Sequence, residues 1–395
     1  MALGVEALIT PEVIRWARET AKMTLEEAAF KFKRPTDVIE GWESGKIRPT
    51  LPQVRRASTV YKRPLAVFYL PNPPEDFQTL RDFRSFGGQR VQAYSAQLDL
   101  LIREARYRQE RVKEIVIAEG SERLGFVGSK KITDDPQLIA KEIRQNLKIT
   151  YEQQKAFKTT REAFKIWMLK AEDMGIFIFR RRTVKTKEAR GFLISDDYAP
   201  LIFINSDDSD SGQIFTLVHE LGHLWLGISG VSDLEVASLS GNEDIQRIEI
   251  FCNRVASNVL IEQQVFSQEW AATEMYNQTR PRIEEIAKTF KVSREMIARR
   301  LLDNKVISND FYQELRHEYH DKYIESKEKK DQKMRDSEGG PSYYRKTASN
   351  LGHSLIRTVV AAYLNGTVSA RDATDILSVK INNMRNLAKE VGLLV

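Results

Sequence analysis

The sequence predicts a mainly helical protein of the α+β kind, with one small sheet near the middle of the chain. Three observations lead there. Apolar residues recur at helical spacing through most of the 395 residues. Helix-starting signals stand ahead of those stretches, as in Thr10-Pro11 and Thr24-Leu25-Glu26-Glu27. Short apolar runs bounded by turn residues cluster between Ile176 and Ile204, where strands are expected instead.

Composition bounds what such a chain can do. Hydrophobic residues make up 42% and charged residues 29%, ordinary for a soluble protein with room for two to four domains. No apolar run reaches about 18 residues, so no membrane span is expected. The opening MALGVEALITPEV lacks a basic stretch before an apolar core, so no secretory signal is expected. The single cysteine, Cys252, excludes an internal disulfide and fits a reducing cytoplasm; it reads as a small buried apolar residue. A net charge of +6 permits an acidic partner such as nucleic acid without requiring one. Changes of character along the chain place a helical bundle at 1–72, a helical connector at 73–150 and a mixed segment at 151–320. A charged linker follows at 321–342, around KEKKDQKMRDSEGG, and a helical region at 343–395.

In the first segment, proline at the first helical position starts a helix over Pro11–Thr20. The Thr24/Glu27 capping box opens a second, carrying Ala28, Ala29 and Phe32. Arg34-Pro35-Thr36 breaks the pattern, and a third helix turns Val38, Ile39 and Trp42 inward. Gly45 and Pro49 end it, before a fourth at Leu51–Tyr61. Two short helices with a tight connection form the helix-turn-helix unit, whose second helix enters the DNA major groove. The stretch from Leu25 to Leu65 resembles the phage-repressor type of that motif, most recognisably in Trp42-Glu43-Ser44-Gly45 and Arg48-Pro49-Thr50. The resemblance implies double-stranded DNA as a partner, with Thr36, Asp37, Glu40, Lys46 and Arg48 facing it and Arg55 and Arg56 nearby. A small bundle for dimerisation or partner docking is the bland alternative. A single amphipathic helix should follow from about Tyr94 to Glu119, with Leu98, Leu101, Ile102, Ala105, Val112, Ile115 and Val116 as its apolar stripe.

The chemistry centres on His219-Glu220-Leu221-Gly222-His223. Histidines four apart share a helix face, so His219 and His223 can hold one metal ion, expected to be a single Zn²⁺, while Glu220 can take a proton from a water there. The helix begins near Ser211-Gly212 and buries Phe215, Val218, Leu221 and Leu224. Ahead of it, Phe192–Ile194 and Leu201–Ile204 flank a polar turn and predict a hairpin. Ile176–Phe179 predicts a third strand, entered from a helix around Arg161–Asp173. Zinc needs a third protein ligand with one position left open. Downstream, Glu249 and Asn253 lie four apart on one helical face; the first can reach metal, and the second can hydrogen-bond a ligand histidine. His317, His320 and His353 remain alternatives on a separate helical region.

Taken together, the helix before the strands, the hairpin, FTLVHELGHLWL and EIFCNRVASNVL resemble the ImmA/IrrE family of zinc metallopeptidases over roughly residues 160–305. The resemblance implies a zincin-like core of three strands packed on the HExxH helix. His219, His223 and Glu249 would be the metal ligands, Glu220 the catalytic base and Asn253 a supporting residue. The chain departs from the pattern with Cys252 in place of alanine, and Asn253 stands where Glu-type zincins more often carry aspartate. Family members cleave helix-turn-helix repressors, so the expected partner is a repressor or toxin–antitoxin protein, as substrate or as bound partner. A second copy of the chain is a further candidate partner. A substrate strand would pair with the sheet edge, expected at Gly191–Ser195. For the oxyanion, Tyr198 and Arg180–Arg182 are candidates. Residues 282–315 repeat a helix-turn-helix pattern but read as helices closing over the core. In 343–395 about three helices are expected, with Ser369 and Ser378 as N-caps.

Overall fold

The computed structural model describes residues 5–74, 95–232, 243–336 and 342–393. These divide into two compact units, one of residues 1–121 and 358–381, the other of 122–357 and 382–395. The fold class is as expected, mainly helical with one small mixed sheet. No described helix is long and apolar enough to cross a membrane.

The first unit opens with α1 (Pro11–Thr20), α2 (Leu25–Phe32), α3 (Thr36–Glu43) and α4 (Leu51–Tyr61). The Thr24/Glu27 capping box forms as read, and a second, Thr50/Gln53, starts α4. Trp42 and Tyr61 pack on Phe32 with ring centroids 5.3 and 5.5 Å apart. Gly41 is required because Ile47 folds back over it: a Cβ there would lie 2.6 Å from Ile47 Cδ1. Glu43 is buried at 5% exposure, and Arg18 meets its carboxylate with two bonds of 2.7 and 2.9 Å. Thus a charged residue sits inside this bundle only because an arginine fork accompanies it.

The long helix α5 (Ala96–Ala118) buries the expected stripe. Tyr94, the expected start, lies outside the described residues, as does the 75–94 part of the connector. Buried Arg108 of α5 pairs with Glu104 at 2.7 Å and donates to Ile376 O at 3.0 Å and Ser378 Oγ at 3.3 Å.

The second unit holds α6 (Pro136–Leu147), α7 (Tyr151–Ala156), α8 (Thr160–Glu172), β1 (Phe177–Arg181), β2 (Gly191–Ile194), β3 (Leu201–Asn205), α9 (Asp210–Leu226), β4 (Gly230–Ser232) and α10 (Glu243–Leu260). After these come α11 (Gln263–Ala272), α12 (Thr279–Phe290), α13 (Arg294–Asp303) and α14 (Asn309–Asp336). The expected hairpin is β2–β3, in register Gly191 to Ile204, and β1 runs parallel to β3 from Phe177 against Leu201. A fourth short strand, β4, pairs antiparallel with β2, giving the order β1-β3-β2-β4. The expectation that Gly191–Ser195 is a free edge is therefore corrected: β2 is paired on both sides, and its four residues are all buried.

One core joins α6, α8, α9 and α10 to the sheet, and α12 and α13 close it through Ile283, Ile286, Phe290, Ile297 and Leu301. Two buried arginines tie the layers by satisfying backbone carbonyls. Arg144 donates to Val259 O at 2.6 Å, and Arg300 to Ser257 O at 3.1 Å. The second repeat of the helix-turn-helix pattern thus lies in the core of the second unit.

The charged segment read as a linker is instead helical as far as Asp336, where α14 ends; residues 337–341 lie outside the described ones. The physical reasons are the lack of a helix breaker, one local pair and one distant anchor. Lys322 pairs with Glu318 one turn back at 2.7 Å, and Lys327 reaches Asp207 of the preceding part of the unit at 2.5 Å. The last segment forms four helices, α15 (Tyr343–Leu351), α16 (His353–Leu364), α17 (Ala370–Leu377) and α18 (Ile381–Glu390). Ser369 caps α17 as expected, accepting from Asp372 N. Ser378 does not start a helix; it ends α17 in the left-handed conformation.

The second unit also buries Glu172, at the end of α8, against the start of α16, where Oε1 accepts from Ser354 N at 3.2 Å. Burial pushes its pKa up to about 7, although the Ser354 and His353 N–H groups and Arg357 pull the other way. Because the folded value exceeds the ordinary 4.5, the folded state holds this proton more tightly. Stability from it is present below pH 4.5 and is lost as pH rises to about 7, an effect of about 3 kcal/mol. Denaturant unfolding at pH 5 and pH 8 should show that difference in the wild type, and Glu172→Gln should flatten it.

Candidate metal centre

Helix α9 is built to hold its histidines rigidly. Ser209 caps its start by accepting from Gly212 N at 3.0 Å, and Gly227, at φ +69°, ends it. Between these caps, Leu217, Val218, Leu221 and Leu224 are fully buried. His219 and His223, one turn apart, are 3% and 1% exposed. Helix α10 crosses α9 where Gly222 faces Cys252, a Cβ on that glycine falling 3.5 Å from the cysteine Sγ. A small side chain is what this crossing admits at position 252. Burial, then the Glu249 and Glu220 carboxylates, push the Cys252 thiol's pKa up, which disfavours the thiolate.

The crossing brings Glu249 to the histidines. Its Oε2 lies 3.2 Å from His219 Nε2 and its Oε1 3.2 Å from His223 Nε2, and the two imidazole Nε2 atoms are 3.0 Å apart. A tetrahedral ion bonded at about 2.0–2.1 Å sets its donors about 3.3 Å apart, so this buried triangle fits Zn²⁺ and leaves a fourth position open. Among the described residues, this is the group able to hold a metal ion. Burial would lower the His219 pKa, but Glu249, then Glu220 and Asn253, outweigh it and raise it. The carboxylate of Glu249, which burial alone would push up, is held well below its usual range by His223 and His219. The donors are thus a carboxylate and two imidazoles whose Nε2 atoms converge on it, the set that zinc replaces protons to occupy.

Glu220 is fully buried beside this triangle. Strand β2 passes over it so closely that only glycine fits at 191. A Cβ there would be 3.1 Å from Glu220 Oε1, 2.4 Å from Thr216 Cγ2 and 2.9 Å from Phe203 O. Sequence reading missed Gly191 and Thr216 as neighbours of the site; a glycine opening an apolar strand was the available signal. Asn253 stands half-buried on the His219 side, as its position four after Glu249 predicts.

Other candidates lie elsewhere. His317 Nδ1 contacts Gln313 O at 2.8 Å on its own helix, and His353 sits at the start of α16. Arg180 is engaged by Ser349 Oγ at 2.9 Å and Gln213 Oε1 at 2.7 Å, and Arg182 by Asp207 at 2.5 Å. Tyr198 accepts from Arg123 Nε at 3.3 Å in the turn between β2 and β3. In the first unit, Asp37, Glu40, Lys46 and Arg48 are exposed and Thr36 is half-buried. Arg48 lies 3.9 Å from Glu6, and Arg56 donates to Lys31 O at 2.5 Å.

A HExxH helix, a carboxylate from the next helix as the third donor and a small mixed sheet together define a metallopeptidase-like domain. Its particular similarity is to the IrrE N-terminal-like domain (Peptidase_M78), a zinc-type metallopeptidase family whose sequence model matches residues 171–302. That span includes His219, Glu220, His223, Glu249 and Asn253. The comparison with curated proteins gives no match.

Proposed function

We propose that the chain is a zinc-dependent endopeptidase of gene regulation, which cleaves a helix-turn-helix repressor or antitoxin-like protein in the cytoplasm. The convergence of His219, His223 and Glu249 within 3.2 Å of one another, with Glu220 alongside, carries this reading. A zinc ion held by His219, His223 and Glu249 would supply Lewis acidity for the reaction. Glu220 would take the proton of the attacking water and return it to the leaving amine. Gly191 keeps the space over Glu220 clear of side chain. With β2 paired on both sides, a substrate strand would join at β4, the outer strand on that side among the described residues. The first unit would bring the peptidase to a promoter through Thr36, Asp37, Glu40, Lys46 and Arg48, where a repressor substrate also sits.

A second reading is a DNA-binding regulator or antitoxin whose zincin-like part holds a partner without cutting it. The complete burial of Glu220 favours it, since a substrate must first uncover that carboxylate. Metal analysis of the purified protein is expected to find about one zinc per chain, lost in His219→Ala and kept in Glu220→Gln. The deciding experiment incubates a repressor encoded beside this chain with wild type and Glu220→Gln. A zinc-dependent cut seen only with wild type supports the peptidase; binding without a cut by either leaves the regulator.

A further inference from the structure

The tail of the second unit lies on an outer edge of the sheet, and one buried carboxyl group sits in that contact. Strand β1 is an end strand of the order β1-β3-β2-β4. Phe177 N donates to Pro200 O at 2.9 Å, and Arg181 O accepts from Ser206 N at 3.2 Å, so these alternate residues serve the β3 side. By that alternation Ile178 O points away from β3, where an uncovered strand edge would invite another strand. Helix α15 packs against β1, burying Ala348 and Leu351. Ser349 Oγ accepts from Arg180 Nη1 at 2.9 Å, and Arg180 Nη2 donates to Gln213 Oε1 at 2.7 Å in the first turn of α9. Gly352, at φ +78°, turns the chain from α15 into α16 over that edge. A Cβ on it would overlap Ile178 O and fall 2.5 Å from Glu172 Oε1.

Glu172 is thereby shut between α8, β1 and the start of α16. It is 7% exposed; Oε1 accepts from Ser354 N at 3.2 Å, and Oε2 is buried with no hydrogen-bond partner among the described residues. The groups facing it do not settle a negative charge there. Asp173, next along the chain, repels one, and β1 presents the Ile178 carbonyl. Arg357 of α16 attracts one, but its Nε is given to Val391 O at 2.8 Å. His353 is held below its ordinary 6.5 by burial, then Arg357 and Lys165, with Glu390 opposing, so it is neutral at pH 7. A neutral carboxyl suits this enclosure. A carboxylate there is stripped of water, with one oxygen unpaired and a carbonyl crowding the other.

We propose that Glu172 is a proton-operated latch: its protonated carboxyl holds α15 and the start of α16 on the β1 edge, and loss of the proton releases them. Release uncovers the Ile178 carbonyl and breaks the Arg180–Ser349 bond, which leads through Gln213 to the start of α9. The docked carboxyl, pushed up to about 7, keeps its proton more tightly than an exposed one at 4.5. Docking is therefore firmest below pH 4.5 and weakens as pH rises to about 7. The latch is independent of metal binding and of the peptidase reading.

Hydrogen exchange of the full-length protein between pH 4 and pH 8, corrected for intrinsic exchange rates, tests the latch. Protection of residues 343–357 is expected to fall by about 10–100-fold from pH 5 to pH 8. At pH 8 this segment should exchange ahead of α9 and α10, because it opens without them. Glu172→Gln should keep the segment protected at both pH values, whereas His353→Gln should leave the wild-type fall in place. Should Glu172→Gln fail to fold, the wild-type profile decides: the fall must level off above about pH 7. Protection of 343–357 that does not change with pH, or a fall that persists in Glu172→Gln, overturns the proposal. So does exchange of the segment at pH 8 only together with α9 and α10.

Discussion

Glu220→Gln is expected to abolish cleavage of the proposed repressor substrate, with a loss of at least about 10²–10⁴-fold in kcat/KM, while zinc content stays at the wild-type level. The side chain is isosteric, and Glu220 is not one of the three converging donors, so the metal triangle should survive. What is lost is a carboxylate that can take a proton and give it back. Single-turnover cleavage by the two proteins at equal zinc occupancy measures the effect. An equal rate in both would end the peptidase reading even with metal bound. Gly191 offers a companion test in the opposite sense. Gly191→Ala must push against Thr216, the Phe203 carbonyl and Glu220 at once, so it should impair folding of the second unit more than an ordinary surface change.

The second large effect is expected in the first unit. Arg18→Met should destabilise it by about 3–5 kcal/mol, because it strips the Glu43 carboxylate of both fork bonds while leaving it 5% exposed. Arg15 does not compensate: its Nε is 4.0 Å from that carboxylate, and its firmer bond, 2.9 Å, goes to the Glu43 carbonyl. Arg18→Met combined with Glu43→Leu should recover most of the loss, since no buried charge then remains unpaired. Chemical unfolding of the single and double variants reads both numbers, and a double variant no better than Arg18→Met would refute the account.

The parts legible in the sequence are those set by short-range rules. Pro11, the Thr24/Glu27 box and Gly45 mark helix ends through local hydrogen bonding and backbone freedom, and the helices begin and end where those residues stand. The converging residues were legible in part, because His219 and His223 lie four apart on one helix and Glu249 was a candidate third donor on a later one. What escaped depends on distant partners. Strand β4 is three residues long, with glycine and serine in it, and exists by pairing with β2. The helix through Lys327 is held by Asp207, over a hundred residues away. Gly191 is explained only by Glu220, Thr216 and Phe203, which no local window contains. The double ladder on β2 likewise moved the open edge from the hairpin strand to its neighbour.

The route of the chain has a further consequence. Residues 358–381 belong with the N-terminal unit, while the stretches on either side of them belong with the second unit. No single peptide bond therefore separates the two units. A fragment stopping near residue 340 would carry the N-terminal helices without α17, leaving Arg108 deprived of the Ile376 carbonyl and the Ser378 hydroxyl. Deletion mapping by truncation from the C-terminus would then report damage to the first unit as though it were loss of the tail. Point substitution, not truncation, is the way to assign roles within this protein.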